Sequence, residues 1–261
     1  MRLRFLGTGT SFGVPVIGCS CDTCTSADPR DRRTRHGVLL FTDHPERTIL
    51  VDTPTDLRQQ LLDARVRHID AVWFTHGHAD HTHGIDDLRI FTNAGKALPA
   101  FADHDNAAFL REKFAYIFDE SYHPIGGPKV NLQLHEYGRD DRVDVCGLEF
   151  TPLPVPHGDV MVYGFRVRGL GYITDAKQVP PETERRLEGV TTLVLNALWF
   201  GRSHPTHLNI EEAIEVARRI GARHTYITHL THRVRHADLI ERLPPGITAA
   251  YDGLEITIDE A

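Results

Sequence analysis

Short apolar runs with β-type alternation recur along the chain: residues 2–7, 37–42, 48–52, 71–75, 148–155, 162–167, 191–196, 224–229 and 254–259. Each is short, rich in Val, Ile, Leu, Phe or Thr, and bounded by turn-forming or charged residues, as strands are. Helical periodicity appears instead at 55–64, 105–118 and 209–221. The last segment begins at Asn209 with Glu212 three residues on, a capping-box arrangement, and ends at Gly221, a natural helix stop. Runs of strands separated by helices predict layered sheets with helices outside rather than a strictly alternating parallel fold. No linker, low-complexity segment or short repeat interrupts the pattern, so a single domain over 1–261 is expected.

The polar residues that end these runs carry the chemistry. Directly after "AVWFT" comes "HGHADHTHGIDDL", and residues 74–88 hold four histidines and three aspartates. In extended backbone, residues two apart share a side, so His76 and His78 can grip one ion. Asp80 and His81 follow a turn and can face a second. Imidazole with carboxylate suits Zn²⁺, and also Mn²⁺ or Fe²⁺. Three further candidates stand at the ends of other apolar runs: His157 after "FTPLPVP", Asp175 after "GYIT" and His229 after "HTYIT". Side chains at strand ends share one edge of a sheet, so residues distant in sequence can converge there.

Composition narrows the class. At 41% hydrophobic residues the chain can bury a sizeable core. With 29 basic against 36 acidic residues the net charge is −7, which speaks against gripping long nucleic acid. The run "RDRRTRH" (30–36) reads as a solvated loop, with a local basic patch as the alternative. No membrane span or signal-peptide core appears, and a cytoplasmic location is the expectation. Cys19, Cys21 and Cys24 form C-x-C-x2-C, which in a reducing compartment reads as a metal site rather than a disulfide framework. Cys146, alone in "RVDVCGLEF", is expected to be a buried small apolar residue beside a hairpin turn. The opening "GTGTSFG" (7–13) lacks phosphate-loop spacing, and its glycines are read as serving a tight strand-to-loop turn.

H-x-H-x-D-H followed by His, Asp and His at strand ends resembles the metallo-β-lactamase superfamily across essentially the whole chain. The resemblance implies an αββα sandwich: two mixed β-sheets flanked by helices. It implies that His76, His78 and His157 bind one metal, that Asp80, His81 and His229 bind a second, and that Asp175 bridges both. Asp52, in "ILVDTP", matches the aspartate that buttresses the metal loop. Such a pair of cations activates a shared water and clamps the oxygens of an in-line displacement at phosphorus, although the same machinery opens thioesters or lactams. "GCSCDTCTSADPRDRRTR" after "GTGTSFGVPVI" is similar to the start of the phosphoribosyl 1,2-cyclic phosphodiesterases, the PhnP-like family. There three cysteines and a histidine hold a structural zinc, which implies Cys19, Cys21, Cys24 and His232 here.

"THLNIEEA" (206–213) resembles the histidine segment that assists phosphodiester cleavage in this family and in the tRNA 3′-end endonucleases. His207 is therefore the candidate general acid and His204, in the same "HPTH", its rival. The expected substrate is a small, cyclic phosphodiester, a ribose cyclic phosphate or cyclic nucleotide, with two divalent ions (Zn or Mn) and one structural zinc. A homodimer is implied by the resemblance alone. The alternatives are an RNA 3′-end endonuclease, whose long basic arm is missing here, and a zinc-binding module like the PQQ-biosynthesis member. In the endonucleases an acidic–histidine proton network stands where this chain has Asn196 and Ala197.

Overall fold

The computed structural model describes residues 1–92 and 96–259. Its strands form two seven-stranded sheets among the described residues. One contains β1 (Arg2–Gly7), β2 (Gly37–Asp43), β3 (Glu46–Val51), β4 (Ala71–Trp73), β5 (Leu98–Asp103), β6 (Leu132–Tyr137) and β14 (Glu255–Thr257). Its order is β14-β1-β2-β3-β4-β5-β6. The other contains β7 (Val143–Val145), β8 (Leu148–His157), β9 (Val160–Val167), β10 (Leu170–Ile173), β11 (Thr192–Asn196), β12 (His224–Thr228) and β13 (Ile247–Ala249). Its order is β13-β12-β11-β10-β9-β8-β7. The helices are α1 (Leu57–Asp63), α2 (Ala79–Thr82), α3 (His104–Lys113), α4 (Ala115–Phe118), α5 (Pro181–Arg186), α6 (Ile210–Ile220) and α7 (His236–Arg242).

Side-chain alternation sorts each strand between two layers. In β2, Val38 and Leu40 enter the core between the sheets, while Leu39 packs with Leu57, Leu61 and Leu110 on the helix side. In β11 the same rule sends Val194 between the sheets and Leu193 and Leu195 toward Ala213, Val216 and Ala217 of α6. The result is helix, sheet, sheet, helix, the αββα sandwich expected. Trp73 anchors the inter-sheet core, its ring centroid 4.5 Å from that of Tyr137 and 5.3 Å from that of Phe150. Full burial of each such side chain contributes roughly 1.5–3 kcal/mol.

Both sheets change character part-way. Strands β1 to β3 and β7 to β10 pair antiparallel, whereas β3 to β6 and β10 to β13 pair parallel. Ligands in open parallel sheets gather at the carboxyl ends of the strands. Asp52, His76, Asp175 and His229 all lie just beyond such ends.

The differences from the sequence pattern are local. Strand β5 carries Pro99, which argues against a strand by local rules but is tolerated near its start. Strands β7 and β13 have three residues each, too few to show a period. The helix expected over 105–118 breaks at Phe114 (φ −114°, ψ 40°), and Phe114 and Ile117 both reach the helix-side core. Cys146 is half-buried rather than buried, because it forms with Gly147 the turn between β7 and β8, both at positive φ.

The basic run 30–36 is neither a solvated loop throughout nor a patch. Arg33 is 1% exposed and donates to the carbonyls of Thr231 and Val234 and to Asp31. Arg30 pairs with Asp28 and Arg35 with Asp56, while His36 is fully buried. The glycines of "GTGT" serve close approach: a Cβ on Gly7 would sit 2.0 Å from the Arg35 carbonyl oxygen. Asp252 fastens the two segments from the far end of the chain. One of its oxygens accepts from the Thr8 amide (2.8 Å) and hydroxyl (2.7 Å), the other from the Thr34 amide and hydroxyl (both 2.7 Å). In Asp252→Asn the amide NH₂ must face one pair of these donors. The variant should lose roughly 2–3 kcal/mol, read as a lower urea midpoint with an unchanged slope; an unaltered midpoint would show the clamp to be dispensable.

Candidate metal centre

Asp52 leaves β3 in the left-handed region (φ 62°), a conformation a short polar side chain tolerates. Its carboxylate accepts from the Thr75 amide and hydroxyl, both at 2.8 Å, and lies 2.6 Å from His81 Nδ1. The His81 carbonyl in turn accepts from the Thr53 amide at 2.7 Å. These bonds fold residues 75–81 back onto the end of β3. The single turn of α2 then sets Asp80 and His81 side by side. With its Nδ1 held by Asp52, His81 turns Nε2 toward Asp80 and Asp175, each 3.6 Å away.

The second sheet supplies the opposite wall. His157 ends β8, and its Nδ1 donates to the Thr206 carbonyl at 2.9 Å, which leaves the Nε2 lone pair free. Asp175 and His229 follow β10 and β12, again left-handed at φ 54° and 60°. Such residues cost of order 1 kcal/mol each and persist where surrounding structure fixes them. Beneath them His36 bridges the Tyr172 hydroxyl (2.5 Å) and the Thr228 hydroxyl (3.1 Å). Asn196 binds both backbone groups of Ala176. It therefore staples the segment after Asp175 to the end of β11.

The seven residues singled out in the sequence converge. Ligand atoms of His76, His78 and His157 lie within 4.8 Å of one another, as do those of Asp80, His81 and His229. Asp175 stands between the groups, its Oδ2 3.9 Å from both His76 Nε2 and His157 Nε2 and its Oδ1 3.3 Å from His229 Nε2. Burial pushes His76 well down and His229 to about 4, so both imidazoles are neutral with available lone pairs. Burial acts the same way on His81, but Asp175, Asp52 and Asp80 outweigh it and hold that ring well above its ordinary value. Burial would raise Asp175, yet His229 and His81 together keep it well below the usual carboxylate range. His81 Nε2 and His229 Nε2 are buried without a hydrogen-bond partner. Orphaned imidazole nitrogens aimed at two carboxylates fit divalent cations.

His207 Nε2 reaches Asp175 Oδ2 at 3.4 Å, at the edge of this set. His204 stands behind it, its Nδ1 3.3 Å from His207 Nδ1 and its ring against Trp199. A cleft of about 810 Å³ opens over these groups.

At the rim of the cleft, His232 Nδ1 lies 3.3, 3.5 and 3.6 Å from the sulfurs of Cys19, Cys21 and Cys24. A bond from the Cys24 backbone, with help from the neighbouring thiols and His232, draws Cys21 down to about 6; burial pushes Cys24 up to about 11. Three sulfurs and one imidazole gathered at one point fit a closed tetrahedral zinc shell. Sequence reasoning found every member of both clusters. It missed the Thr206 carbonyl, His36 and the Asn196 staple, none of which carries a local signal.

The family model for the β-lactamase superfamily domain matches residues 47–230. The chain belongs to the metallo-β-lactamase superfamily. Within it, the chain belongs to the PhnP-like family: it is 35% identical to a diphosphatase of the PhnP family, covering 99% of this chain and 98% of that one at a TM-score of 0.89. It is also 38% identical over 261 residues to an octanoyltransferase of Porphyromonas gingivalis. That alignment takes in all of this chain but 52% of the relative, so the chain spans about half the relative's length. Zinc-bound PqqB of Methylobacterium extorquens (21% identity, TM-score 0.79, 99% and 100% of the two chains) shares the superfamily fold. So does the human short-form tRNase Z (17%, TM-score 0.69, 99% and 100%). No helix among the described residues is long and apolar enough to cross a membrane.

Proposed function

We propose that this member of the superfamily is a metal-dependent phosphodiesterase acting on small phosphodiesters, with ribose cyclic phosphates and cyclic nucleotides as the leading class. The observation that carries the reading is His207, an imidazole placed 3.4 Å from the carboxylate shared by the two ligand groups. Two divalent cations, Zn²⁺ or Mn²⁺, held by His76, His78 and His157 and by Asp80, His81 and His229 with Asp175 common to both, would supply Lewis acidity and a nucleophilic water at neutral pH. The chain's own residues do the rest. Asp52 fixes the His81 tautomer, and the Thr206 carbonyl fixes that of His157. His207 delivers a proton to the leaving oxygen, and His204 holds its far nitrogen. A third zinc on the cysteines and His232 would pin the loop that walls the cleft. Arg30, Arg33 and Arg35 of the basic run are each paired with an aspartate, which agrees with a small substrate rather than long nucleic acid.

The PhnP-family relative is a diphosphatase, which makes a phosphoanhydride the second reading. Assay of the protein, with metal content measured on the same sample, against bis-p-nitrophenyl phosphate, ribose and nucleotide cyclic phosphates and nucleoside diphosphates separates the two. Hydrolysis of diphosphates alone would replace the first reading by the second, and inertness toward all of them with two metals bound would end both.

His207→Ala tests the proton donor. It should keep both active-site metals and lose roughly 10²–10⁴ in rate on esters with poor leaving groups. An aryl ester, whose leaving group needs little protonation, should lose far less. Equal losses on both would move the acid role to His204 or make His207 a binding residue.

A further inference from the structure

The ligand groups occupy only the inner end of the cleft. Its outer part is lined by Phe12, Val16, Trp199 and Arg233, which the phosphodiester chemistry does not use. Phe12 is 73% exposed, yet the loop that carries it is tied down on both sides: the Gly13 amide bonds the Thr10 carbonyl and the Val14 amide bonds that of Arg33. An exposed aromatic on a fixed loop beside a polar site is a binding feature more than a packing one. Trp199 donates its indole N–H to the Arg202 carbonyl at 2.8 Å, so it offers the cleft a π surface rather than a hydrogen bond. The Arg233 guanidinium carbon lies 4.3 Å from the centroid of that ring. Aromatic rings and stacked guanidinium planes are the surfaces on which proteins hold unpaired bases.

We infer that Phe12, Trp199 and Arg233 form a nucleobase subsite, so that the substrate is a small nucleotide ester rather than a bare sugar phosphate. The inference rests on the phosphodiester reading for the reacting bond, but the subsite is separable from it. Two features support the size and placement. A volume of about 810 Å³ lies in the range that encloses a drug-sized ligand, well beyond a cyclic sugar phosphate. Arg233 directly follows His232, and the Val16 amide approaches Cys24 Sγ at 3.3 Å, so both walls of the subsite hang from the Cys₃His cluster. Both segments are therefore anchored beside one cluster at the rim of the cleft.

The test compares uridine 2′,3′-cyclic phosphate with methyl β-riboside 2,3-cyclic phosphate, which carries the same reacting ester without a base. Stacking worth ~1–3 kcal/mol per base corresponds to a kcat/KM for the uridine ester roughly 5- to 150-fold higher. Phe12→Ala and Trp199→Leu should each raise KM for the uridine ester about tenfold and shift the methyl riboside far less. In parallel, equilibrium dialysis of the purified protein should show AMP binding at least about tenfold tighter than ribose 5-phosphate, a difference that both variants erase. Equal constants for the paired ligands, or equal losses on both esters, would overturn the subsite. Tighter binding of ribose 1,5-bisphosphate than of AMP, lost in Arg233→Ala, would assign Arg233 to a second phosphate and overturn it too. Failure to hydrolyse either ester while AMP is still preferred would sink the phosphodiester reading and leave the subsite standing.

Discussion

Asp175→Asn should lower phosphodiester hydrolysis roughly 10³-fold or more, since several kcal/mol of charge stabilisation converts at 1.36 kcal/mol per decade. Asparagine is the informative replacement. It tolerates the left-handed backbone at φ 54° and keeps the side chain's shape, so what is removed is charge. That charge lies within 4 Å of His76, His81, His157, His207 and His229. Without it, five imidazoles surround a neutral amide, and the metal content should fall with the rate. Asp80→Ala should act in the same direction on the group formed with His81 and His229. Elemental analysis and steady-state kinetics on one preparation check both variants, with circular dichroism to show that the fold persists. A near-full rate in either variant with a single metal bound would overturn the two-metal reading.

The site was unusually legible because its chemistry follows chain geometry. His76 and His78 share a side by the two-residue period of extended backbone, and Asp80 and His81 are brought round by one helical turn. His157, Asp175 and His229 each stand where an apolar run stops, so the sequence marks them as strand-end residues even though their convergence is long-range. The capping box at Asn209 and Glu212 forms as read, with bonds of 2.8 and 2.9 Å. What escaped depends on partners far along the chain. Arg33 looks like a solvent-facing charge in "RDRRTR" until two carbonyls near residue 232 bury it. His36 looks like the end of that run until β10 and β12 close over it. Asp52 could be matched by resemblance, but its left-handed backbone follows only from the need to accept from Thr75 and meet His81 at once. The strands β7 and β13 are defined by their neighbours rather than by any period of their own.

The Cys₃His cluster should give the purified protein about three metal ions per chain, two at the open pair and one in the closed tetrahedral shell. The two classes should differ in how they let go. An open site has coordination positions that a chelator can attack, whereas a shell of three thiolates and an imidazole has none. Brief treatment with a mild chelator should therefore abolish activity while one zinc stays bound, and added Zn²⁺ or Mn²⁺ should restore it. Cys21→Ser should lose that retained zinc. Its sulfur lies 3.5 Å from His232 Nδ1, so without metal the 19–24 segment is joined to the strand-end loop that carries His229, Thr231 and Arg233 by weak thiol contacts to His232 in place of metal–ligand bonds. Arg33, bonded to the Thr231 and Val234 carbonyls, then holds that junction together with the Leu230 amide on the Thr8 carbonyl and the His236 amide on Asp31. The loop should open to protease near residues 27–35, and KM should rise more than kcat falls, because the cleft walls loosen while Asp80, Asp175 and His207 stay in place. Three freely titratable thiols in the wild-type protein, with no zinc that outlasts the chelator, would remove this cluster as a metal site. The binding wall would then rest on Arg33, Asp252 and the backbone bond from Leu230 to Thr8.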